Sequence, residues 1–176
     1  MIYEPKEDSF LLEKWVKKFS KKGMKVLDVG CGSGILSLAA KDADVLAVDI
    51  NPEAVKHCKG LGVNAITSNL FEKVEGKFDL IVFNPPYLPE EEKEDEDSKQ
   101  ITTGGKEGFE ILERFFSEVN SFLNKEGIIL IVISSLTNPK KVEEIIVKKD
   151  LKFKVLDKEK LFMEELSVYE IKQKHL

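Results

Sequence analysis

The chain has 176 residues, and its 27 lysines and arginines against 32 aspartates and glutamates give a net charge of −5. This length predicts a single domain, residues 1–176, with a sizeable buried core. A hydrophobic share of 42% beside 34% charged residues excludes the disordered and fibrous classes. Two cysteines are too few for a disulfide framework, and the longest apolar run, residues 128–133, is far shorter than the roughly 20 residues that span a bilayer. Because no secretory leader is visible, we expect a cytoplasmic protein with no membrane partner.

The acidic residues are unevenly distributed along the chain. Residues 90–97 contain seven acids and one lysine, which leaves a net charge of +1 for the remainder. Arg114 is the only arginine. Because the planar guanidinium group is favoured for binding phosphate and guanine, this composition fits a sequence-reading DNA-binding protein poorly.

Helical and strand-like patterns alternate along the chain. Apolar periodicity and end signals predict helices over 8–19, 35–40, 53–59, 109–123 and 140–148, the third of them capped by Asn51 with Pro52 as its first residue. Buried-strand patterns cover 25–29, 45–49, 63–67, 78–83, 127–134, 151–156 and 166–171. This order predicts an α/β fold: a doubly wound, Rossmann-like parallel sheet of seven strands with helices on both faces and an antiparallel final hairpin. Residues 88–108 are the one long irregular segment, which we expect to be a mobile active-site loop.

A glycine-rich loop follows the first predicted strand. Gly30, Gly32 and a third glycine at position 34 allow a tight turn and a close approach of the backbone to a ligand. Asp49 ends the next strand, where a carboxylate can accept both hydroxyls of a ribose. Ile35 occupies the position of the third glycine in the dinucleotide fingerprint, which disfavours an NAD-dependent oxidoreductase. Asp28, just before the loop, suits a cationic ligand better than a pyrophosphate, so the pattern favours S-adenosylmethionine.

The fourth predicted strand ends in Asn84, Pro85, Pro86 and Tyr87. The two prolines fix φ and remove two backbone donors, so the loop presents stiff carbonyl acceptors. Asn84 adds a side-chain acceptor and Tyr87 a flat aromatic face. We expect these four residues to be the catalytic ones, holding a planar group that carries an NH₂ with its nitrogen directed at a methyl donor.

The chain resembles the HemK-like class I methyltransferases over essentially its whole length. The tetrapeptide 84–87 carries this resemblance, as does the segment 3–12, which is similar to the Tyr-Glu-Pro-x-Glu-Asp-Thr/Ser segment of the archaeal and eukaryotic branch. That branch methylates a glutamine of class 1 release factors. The resemblance implies transfer of a methyl group from S-adenosylmethionine to the side-chain amide nitrogen (N5) of a glutamine, in the Gly-Gly-Gln loop of such a factor.

The resemblance also implies the binding residues. Asp28 and Gly30 would lie against the methionine part of the cofactor, with Gly32 in the same loop, and Asp49 would hold the ribose. Ser9 would reach the cofactor from above, within an N-terminal segment and helix, 1–22, that covers it. The family's acidic residue at the adenine amino group corresponds to Asn69, followed by Leu70. Asn84 would touch both the cofactor and the substrate amide.

The same resemblance implies a partner protein, whereas the residues themselves bear on metals and on the acidic segment. Relatives use the edge formed by the third strand to bind a small zinc-binding activator protein, and we expect such a partner here. No histidine or cysteine cluster has metal-ligand spacing, so we predict no metal in this chain. The acidic residues 90–97 have two interpretations: a solvated excursion, or a lid whose acids meet a basic patch on the protein substrate.

Two alternative functions stay open. An N6-adenine or guanine-N2 methyltransferase would present the same planar NH₂ to residues 84–87, and surface lysines could contact RNA phosphates. The absence of a target-recognition domain and the single arginine weaken that alternative. A second alternative is a non-catalytic scaffold that binds the cofactor, which the intact tetrapeptide disfavours.

Overall fold

The computed structural model of the chain describes residues 1–86 and 109–175. The helices are α1 Glu7–Phe19, α2 Ile35–Ala39, α3 Pro52–Gly60, α4 Glu110–Glu118 and α5 Pro139–Lys148. The strands are β1 Lys25–Val29, β2 Asp44–Asp49, β3 Ala65–Thr67, β4 Phe78–Phe83, β5 Leu123–Ser134, β6 Leu151–Leu161 and β7 Glu164–Gln173. In this part of the chain, no helix has the length and apolar character needed to cross a membrane.

The strands form one seven-stranded sheet in the order β3-β2-β1-β4-β5-β7-β6. The first five strands are parallel, and β7 runs antiparallel to both β5 and β6. The prediction of a doubly wound sheet with an antiparallel final hairpin is therefore confirmed. Strand order reverses between β1 and β4, and ligands of open α/β sheets bind outside the carboxyl ends of the strands at such a switch point.

Two apolar layers cover the sheet. On one face, α1 and α2 pack through Leu12, Val16 and Leu36, and α3 extends this layer through Val55 and Cys58. On the other face, α4 and α5 contribute the buried side chains Leu112, Phe115, Phe116, Val142 and Ile146. Neighbouring strand residues alternate between the two layers, because successive side chains of a strand point to opposite faces. The sheet is thus a rigid, doubly covered platform for the loops at its carboxyl edge.

The predicted elements differ from the observed ones mainly at their ends. The helix predicted over 109–123 stops at Glu118, continues as a 3₁₀ turn over Val119–Phe122, and gives way to β5 at Leu123, where pairing with Phe78 of β4 begins. The final hairpin is longer than the predicted strands 151–156 and 166–171, because cross-strand pairs such as Lys158–Ser167 and Lys160–Glu165 extend the ladder beyond the apolar pattern. The third strand is shorter than predicted and lies at the sheet edge, as expected.

Candidate functional site

A cavity of about 310 Å³ opens at the carboxyl edge of the sheet, at the switch point between β1 and β4. Its volume lies in the range of roughly 300–1,000 Å³ that is typical of small-molecule sites. The wall comes from the loops after β1, β2, β3 and β4, from residues 1–3 and the start of α1, and from one side of α4. Most of the residues that the sequence assigned to a site line it, namely Ser9, Gly30, Gly32, Asp49, Asn69, Leu70, Asn84, Pro85 and Pro86.

The glycine loop after β1 forms the floor of the cavity in a left-handed backbone conformation. Gly30, Gly32 and Gly34 have φ of 72°, 47° and 82°, which residues with a side chain rarely adopt. At Gly34 an added Cβ would lie 3.2 Å from both the Cys58 Sγ and a methyl carbon of Leu61, so the loop also packs tightly on α3. The glycines are therefore needed for the turn and, at Gly34, for space.

Asp49 joins this loop to the start of α3. One carboxylate oxygen accepts a hydrogen bond from the Gly32 N–H and the other from the Asn51 N–H, both at 2.9 Å. An ionised carboxylate offers about four acceptor positions, so about two stay available towards the cavity, which matches the two hydroxyls of a ribose. Asn51 in turn caps α3, as predicted, through its side-chain oxygen and the Glu53 N–H at 2.9 Å.

Asp28 lies behind the glycine loop and is not among the residues that line the cavity. Its carboxylate is fully buried and accepts a hydrogen bond from the Ser37 hydroxyl at 2.6 Å, while its Oδ1 has no hydrogen-bond partner in the described residues. The pKa of Asp28 is raised from 3.8 to about 6, mainly by burial and also by the nearby charge of Asp49, against the lowering effect of the Ser37 hydrogen bonds. The structure thus places a buried acid under the cavity floor, and its predicted contact with the cofactor stays a prediction.

Asn84 stands at the opposite wall, where β4 ends. Its side-chain NH₂ donates to Asp8 Oδ2 at 3.2 Å and lies 3.3 Å from the Ser9 hydroxyl. A carboxylate only accepts hydrogen bonds, so the nitrogen of the amide must face Asp8. Asn84 Oδ1 is consequently turned away from Asp8, and this buried oxygen has no hydrogen-bond partner in residues 1–86 and 109–175. An orphaned buried acceptor costs about 1–3 kcal/mol, which a ligand with an N–H group would recover.

The carboxylate of Asp8 organises this wall. It is buried in the first turn of α1 and accepts hydrogen bonds from the Tyr3 hydroxyl at 2.9 Å and the Ser9 N–H at 2.7 Å, besides that of Asn84. Ile2 and Tyr3 line the cavity, and the Asn51 side-chain NH₂ donates to the Met1 carbonyl at 2.9 Å. Residues 1–9 therefore lie across the cavity, and their role in covering a bound cofactor stays a prediction.

The third wall combines Asn69 and Leu70, after β3, with α4. Arg114 also lines the cavity, and its guanidinium donates to Asn69 Oδ1 at 3.3 Å. Leu70 has a positive φ of 52°, a conformation uncommon for a residue with a branched side chain. Arg114 was not predicted to lie at the site. Its place in the first turns of the helix that follows residues 88–108 was the one available signal.

Some predicted features lie outside the described residues. Tyr87, the segment 88–108 and the acidic residues 90–97 are among them, so their predicted roles stay predictions. His57 and His175 are exposed. In the described part of the chain, no group of three or more histidine, cysteine, aspartate or glutamate side chains is placed to hold a metal ion.

The residues present fit S-adenosylmethionine. Two carboxylates, Asp8 and Asp49, border the cavity and a third, Asp28, lies beneath it, which suits a ligand with a positive charge and ribose hydroxyls better than one with phosphates. Leu70 and Ile111 supply apolar surface on the third wall for a flat base. The sheet and this cavity define a Rossmann-like domain whose cavity at the carboxyl edge is suited to a small-molecule ligand.

Comparison with known proteins gives the family. The model of the methyltransferase small domain matches residues 8–163, so the chain belongs to this family of methyltransferases. A Methanocaldococcus jannaschii protein named as a protein N5-glutamine methyltransferase is 46% identical over 165 residues, covering 88% of this chain and 82% of its own. Human methyltransferase HEMK2 is 31% identical over 170 residues, covering 85% of this chain and 79% of its own.

Solved structures agree on the fold. A chain from the E. cuniculi Mtq2–Trm112 complex, described as responsible for methylating the translation termination factor eRF1, superposes with a TM-score of 0.82 at 24% identity over 98% of this chain and 99% of that one. The ribosomal protein L11 methylase of Lactobacillus delbrueckii subsp. bulgaricus gives a TM-score of 0.73 at 26% identity over 99% of this chain and 82% of that one.

Proposed function

We propose that this chain transfers a methyl group from S-adenosylmethionine to the side-chain amide nitrogen of a glutamine in a class 1 release factor. The observation that carries the proposal is Asn84 Oδ1: a buried acceptor without a partner in the described residues, on a loop with two prolines, beside a cavity bordered by carboxylates. The names of relatives that cover most of the chain, N5-glutamine methyltransferase and release factor glutamine methyltransferase, support the glutamine.

The bound cofactor would supply a methyl group on a positively charged sulfur. The nucleophile would attack the methyl carbon in line with the carbon–sulfur bond, and the sulfur would leave. Asp49 would hold the ribose with the acceptor positions that its two loop hydrogen bonds leave free. Asn69 and Leu70 would border the adenine, and Gly30 and Gly32 would let the backbone approach the methionine part. Ser9, in the segment that lies across the cavity, would cover the ligand and exclude water.

The chain's own contribution to chemistry is orientation and charge. An amide nitrogen is a weak nucleophile because its lone pair is delocalised, and positive charge develops on it as the methyl group arrives. Asn84 Oδ1 would accept one N–H of the substrate amide and the carbonyl of Pro85 or Pro86 the other, placing negative dipoles where that charge develops. Asp8, hydrogen bonded to the opposite end of the Asn84 amide, holds the oxygen in this orientation. Positioning of the two reactants supplies much of the remaining rate enhancement.

No general base is needed for this transfer. An amide that is methylated on nitrogen and still carries its proton is a strong acid, so the proton passes to water. Cys31, which lines the cavity, lies 3.3 Å from the sulfur of Cys58 and is buried, in keeping with a packing role.

A partner protein fits the β3 edge of the sheet. β3 ends the sheet and comprises only Ala65–Thr67, and the edges of sheets are templates for pairing with another chain. The structural relative Mtq2 is described in complex with the small protein Trm112. We propose a small zinc-binding activator at this edge and, because a translation factor is the substrate, a cytoplasmic location. An isolated chain that is monodisperse and fully active without any added protein would contradict the activator.

Nucleic acid is the second candidate substrate, because an exocyclic amino group of adenine or guanine presents the same planar NH₂. Arg114 at the cavity is the one observation in its favour. Its guanidinium is already engaged with Asn69, and a relative that is 46% identical to this chain is named for glutamine, so the protein substrate is favoured.

The deciding experiment is transfer of a radiolabelled methyl group to three acceptors in parallel: a purified class 1 release factor, the same factor with its Gly-Gly-Gln glutamine changed to alanine, and RNA. We expect label on the intact factor alone, lost in the Asn84→Ala enzyme. Label on RNA alone, or equal label on the glutamine-free factor, would overturn the proposal.

A further inference from the structure

We propose that the tip of the β6–β7 hairpin is a docking surface for the body of the protein substrate, outside the loop that carries the target glutamine. The tip consists of Phe162 and Met163, between the last paired residues Leu161 and Glu164. This inference rests on the proposed function and specifies where the substrate makes its second contact. Neither the predicted site residues nor the catalytic geometry involves this hairpin.

The tip exposes two large apolar side chains at a position where polar residues are usual. Phe162 is 93% and Met163 82% exposed. Turns are normally occupied by glycine, asparagine, aspartate or serine, and exposed apolar patches on soluble proteins mark interaction sites. Met163 also has a φ of 60°, in the left-handed region that glycine adopts more readily than a residue with a side chain. The turn therefore keeps an apolar residue where a less strained one was available.

The tip is held firmly at the end of β5. The Ser134 hydroxyl donates to Glu164 Oε1 at 2.6 Å, and the Glu165 N–H donates to the Ser135 hydroxyl at 2.9 Å. An ion pair of 3.0 Å between Lys158 and Glu165 adds a link across the two hairpin strands. An apolar contact on such an anchored turn loses little conformational entropy when a partner binds.

The hairpin points to the side from which a substrate must approach. Phe83, just before Asn84, is level with Ile131 of β5, whereas Leu166 is level with Ser134. At about 3.3 Å per residue the tip lies roughly 17 Å beyond the level of Asn84, and at about 4.8 Å per strand β6 stands roughly 15 Å to its side. A loop that inserts its glutamine at Asn84 would therefore bring the domain behind it to the height of the tip.

Other exposed apolar side chains lie at the carboxyl edge of the sheet. Phe10, in the first turns of α1, is 54% exposed, and Leu136, directly after β5, is 43% exposed. Ile50, after β2, is half exposed and lines the cavity. Because nucleic acid is bound mainly through lysine and arginine contacts to phosphate, an apolar rim fits a protein surface and not an RNA backbone.

The test compares an intact substrate with an isolated loop. The double variant Phe162→Ser/Met163→Ser is assayed with a purified class 1 release factor and with a short synthetic peptide of its Gly-Gly-Gln loop. We expect at least a tenfold higher KM for the intact factor, since apolar anchors at interfaces each cost more than about 1 kcal/mol when truncated. The kcat, the KM for the peptide and the Kd for S-adenosylmethionine should stay unchanged.

Two further variants complete the design. Val147→Ser removes another exposed apolar side chain, 48% exposed, near the end of α5 at the amino edge of the sheet. It should leave kcat, both KM values and the Kd for S-adenosylmethionine unchanged. Phe162→Leu/Met163→Leu keeps the tip apolar and should retain most of the affinity for the intact factor. A KM for that factor within twofold of wild type in the serine variant, or an equal rise for peptide and factor, would overturn the docking surface. A wild-type chain that methylates neither probe, alone or with the proposed activator protein added, would instead refute the proposed function itself, and the docking surface with it.

Discussion

Replacing Asn84 by alanine removes a buried acceptor at the cavity that has no partner in the described residues, and the backbone of the loop is held by Pro85 and Pro86 on one side and β4 on the other. Loss of one preorganised group facing a developing charge typically lowers kcat by about 10²–10³-fold, or roughly 2.7–4 kcal/mol. We expect this loss in single-turnover methyl transfer at saturating concentrations of both reactants. The Kd for S-adenosylmethionine, measured by titration calorimetry, should change little, because Asp49 and the glycine loop are untouched.

The same variant has a structural cost that must be separated from the catalytic one. It removes the hydrogen bond from the Asn84 NH₂ to Asp8, but Asp8 keeps those from Tyr3 and Ser9. We therefore expect a loss of about 1 kcal/mol in the free energy of unfolding, which is roughly 2–4 °C in Tm for a domain of this size.

Asn124→Ala is the matched control for this variant. The Asn124 NH₂ donates to Asp79 Oδ1 at 2.8 Å, so the variant loses the same kind of bond between an amide and a carboxylate, at the amino edge of the sheet. Its Tm should fall by a similar amount while kcat is unchanged. An Asn84→Ala enzyme that keeps kcat within tenfold of wild type, or loses no more than Asn124→Ala, would refute the orientation mechanism.

Three further predictions concern the glycine loop and the acids around it. Asp49→Ala should raise the Kd for S-adenosylmethionine by about 10–100-fold in calorimetry, because charge-assisted hydrogen bonds contribute about 1.5–3 kcal/mol; Asp44→Ala, at the exposed start of the same strand, should leave the Kd unchanged, and equal effects would contradict the ribose contact. Gly34→Ala should lower Tm by several degrees more than Gly23→Ala: both have positive φ, but only at Gly34 would a Cβ meet other side chains at 3.2 Å, and overpacking costs about 1–3 kcal/mol. Because burial raises the pKa of Asp28 to about 6, its contribution to stability is present at low pH and lost as the pH rises through that value. Between about pH 5 and pH 7.5, urea denaturation should show the wild type losing about 1 kcal/mol relative to Asp28→Asn, and a constant difference would show that Asp28 does not titrate in this range.

Local sequence signals were sufficient for much of the sheet. β1 and β4 begin and end at the predicted residues because each is a short run, apolar except for one or two charged residues, that ends directly before Gly30 or Asn84. The third helix begins where predicted because Asn51 caps it and Pro52 fits its first turn. In the same way, the position of Asn84 across from the glycine loop follows from parallel strands that end at one edge.

Contacts between distant parts of the chain were beyond those signals. The hydrogen bond between Asp8 and Asn84 joins residues 76 positions apart, and its existence depends on how residues 1–9 fold back over the sheet. The contact of Arg114 with Asn69 depends equally on the packing of α4. The predicted end of α4 was wrong for the same reason. The apolar periodicity continues to Leu123, but the pairing of Leu123 with Phe78 takes that residue into the sheet.

The carboxylate of Asp8 accepts hydrogen bonds from the hydroxyl of Tyr3 and the amide of Asn84 at once. The first residues of the chain and the loop after β4 are therefore held by one shared acceptor. The effects of substitutions at these two places should therefore be non-additive. In the wild type, Tyr3→Phe also weakens the hold of Asp8 on the Asn84 side chain, whereas in a variant without the Asp8 carboxylate it should have a smaller effect. Variants selected for altered acceptors would then change both places together, although almost half the chain separates them.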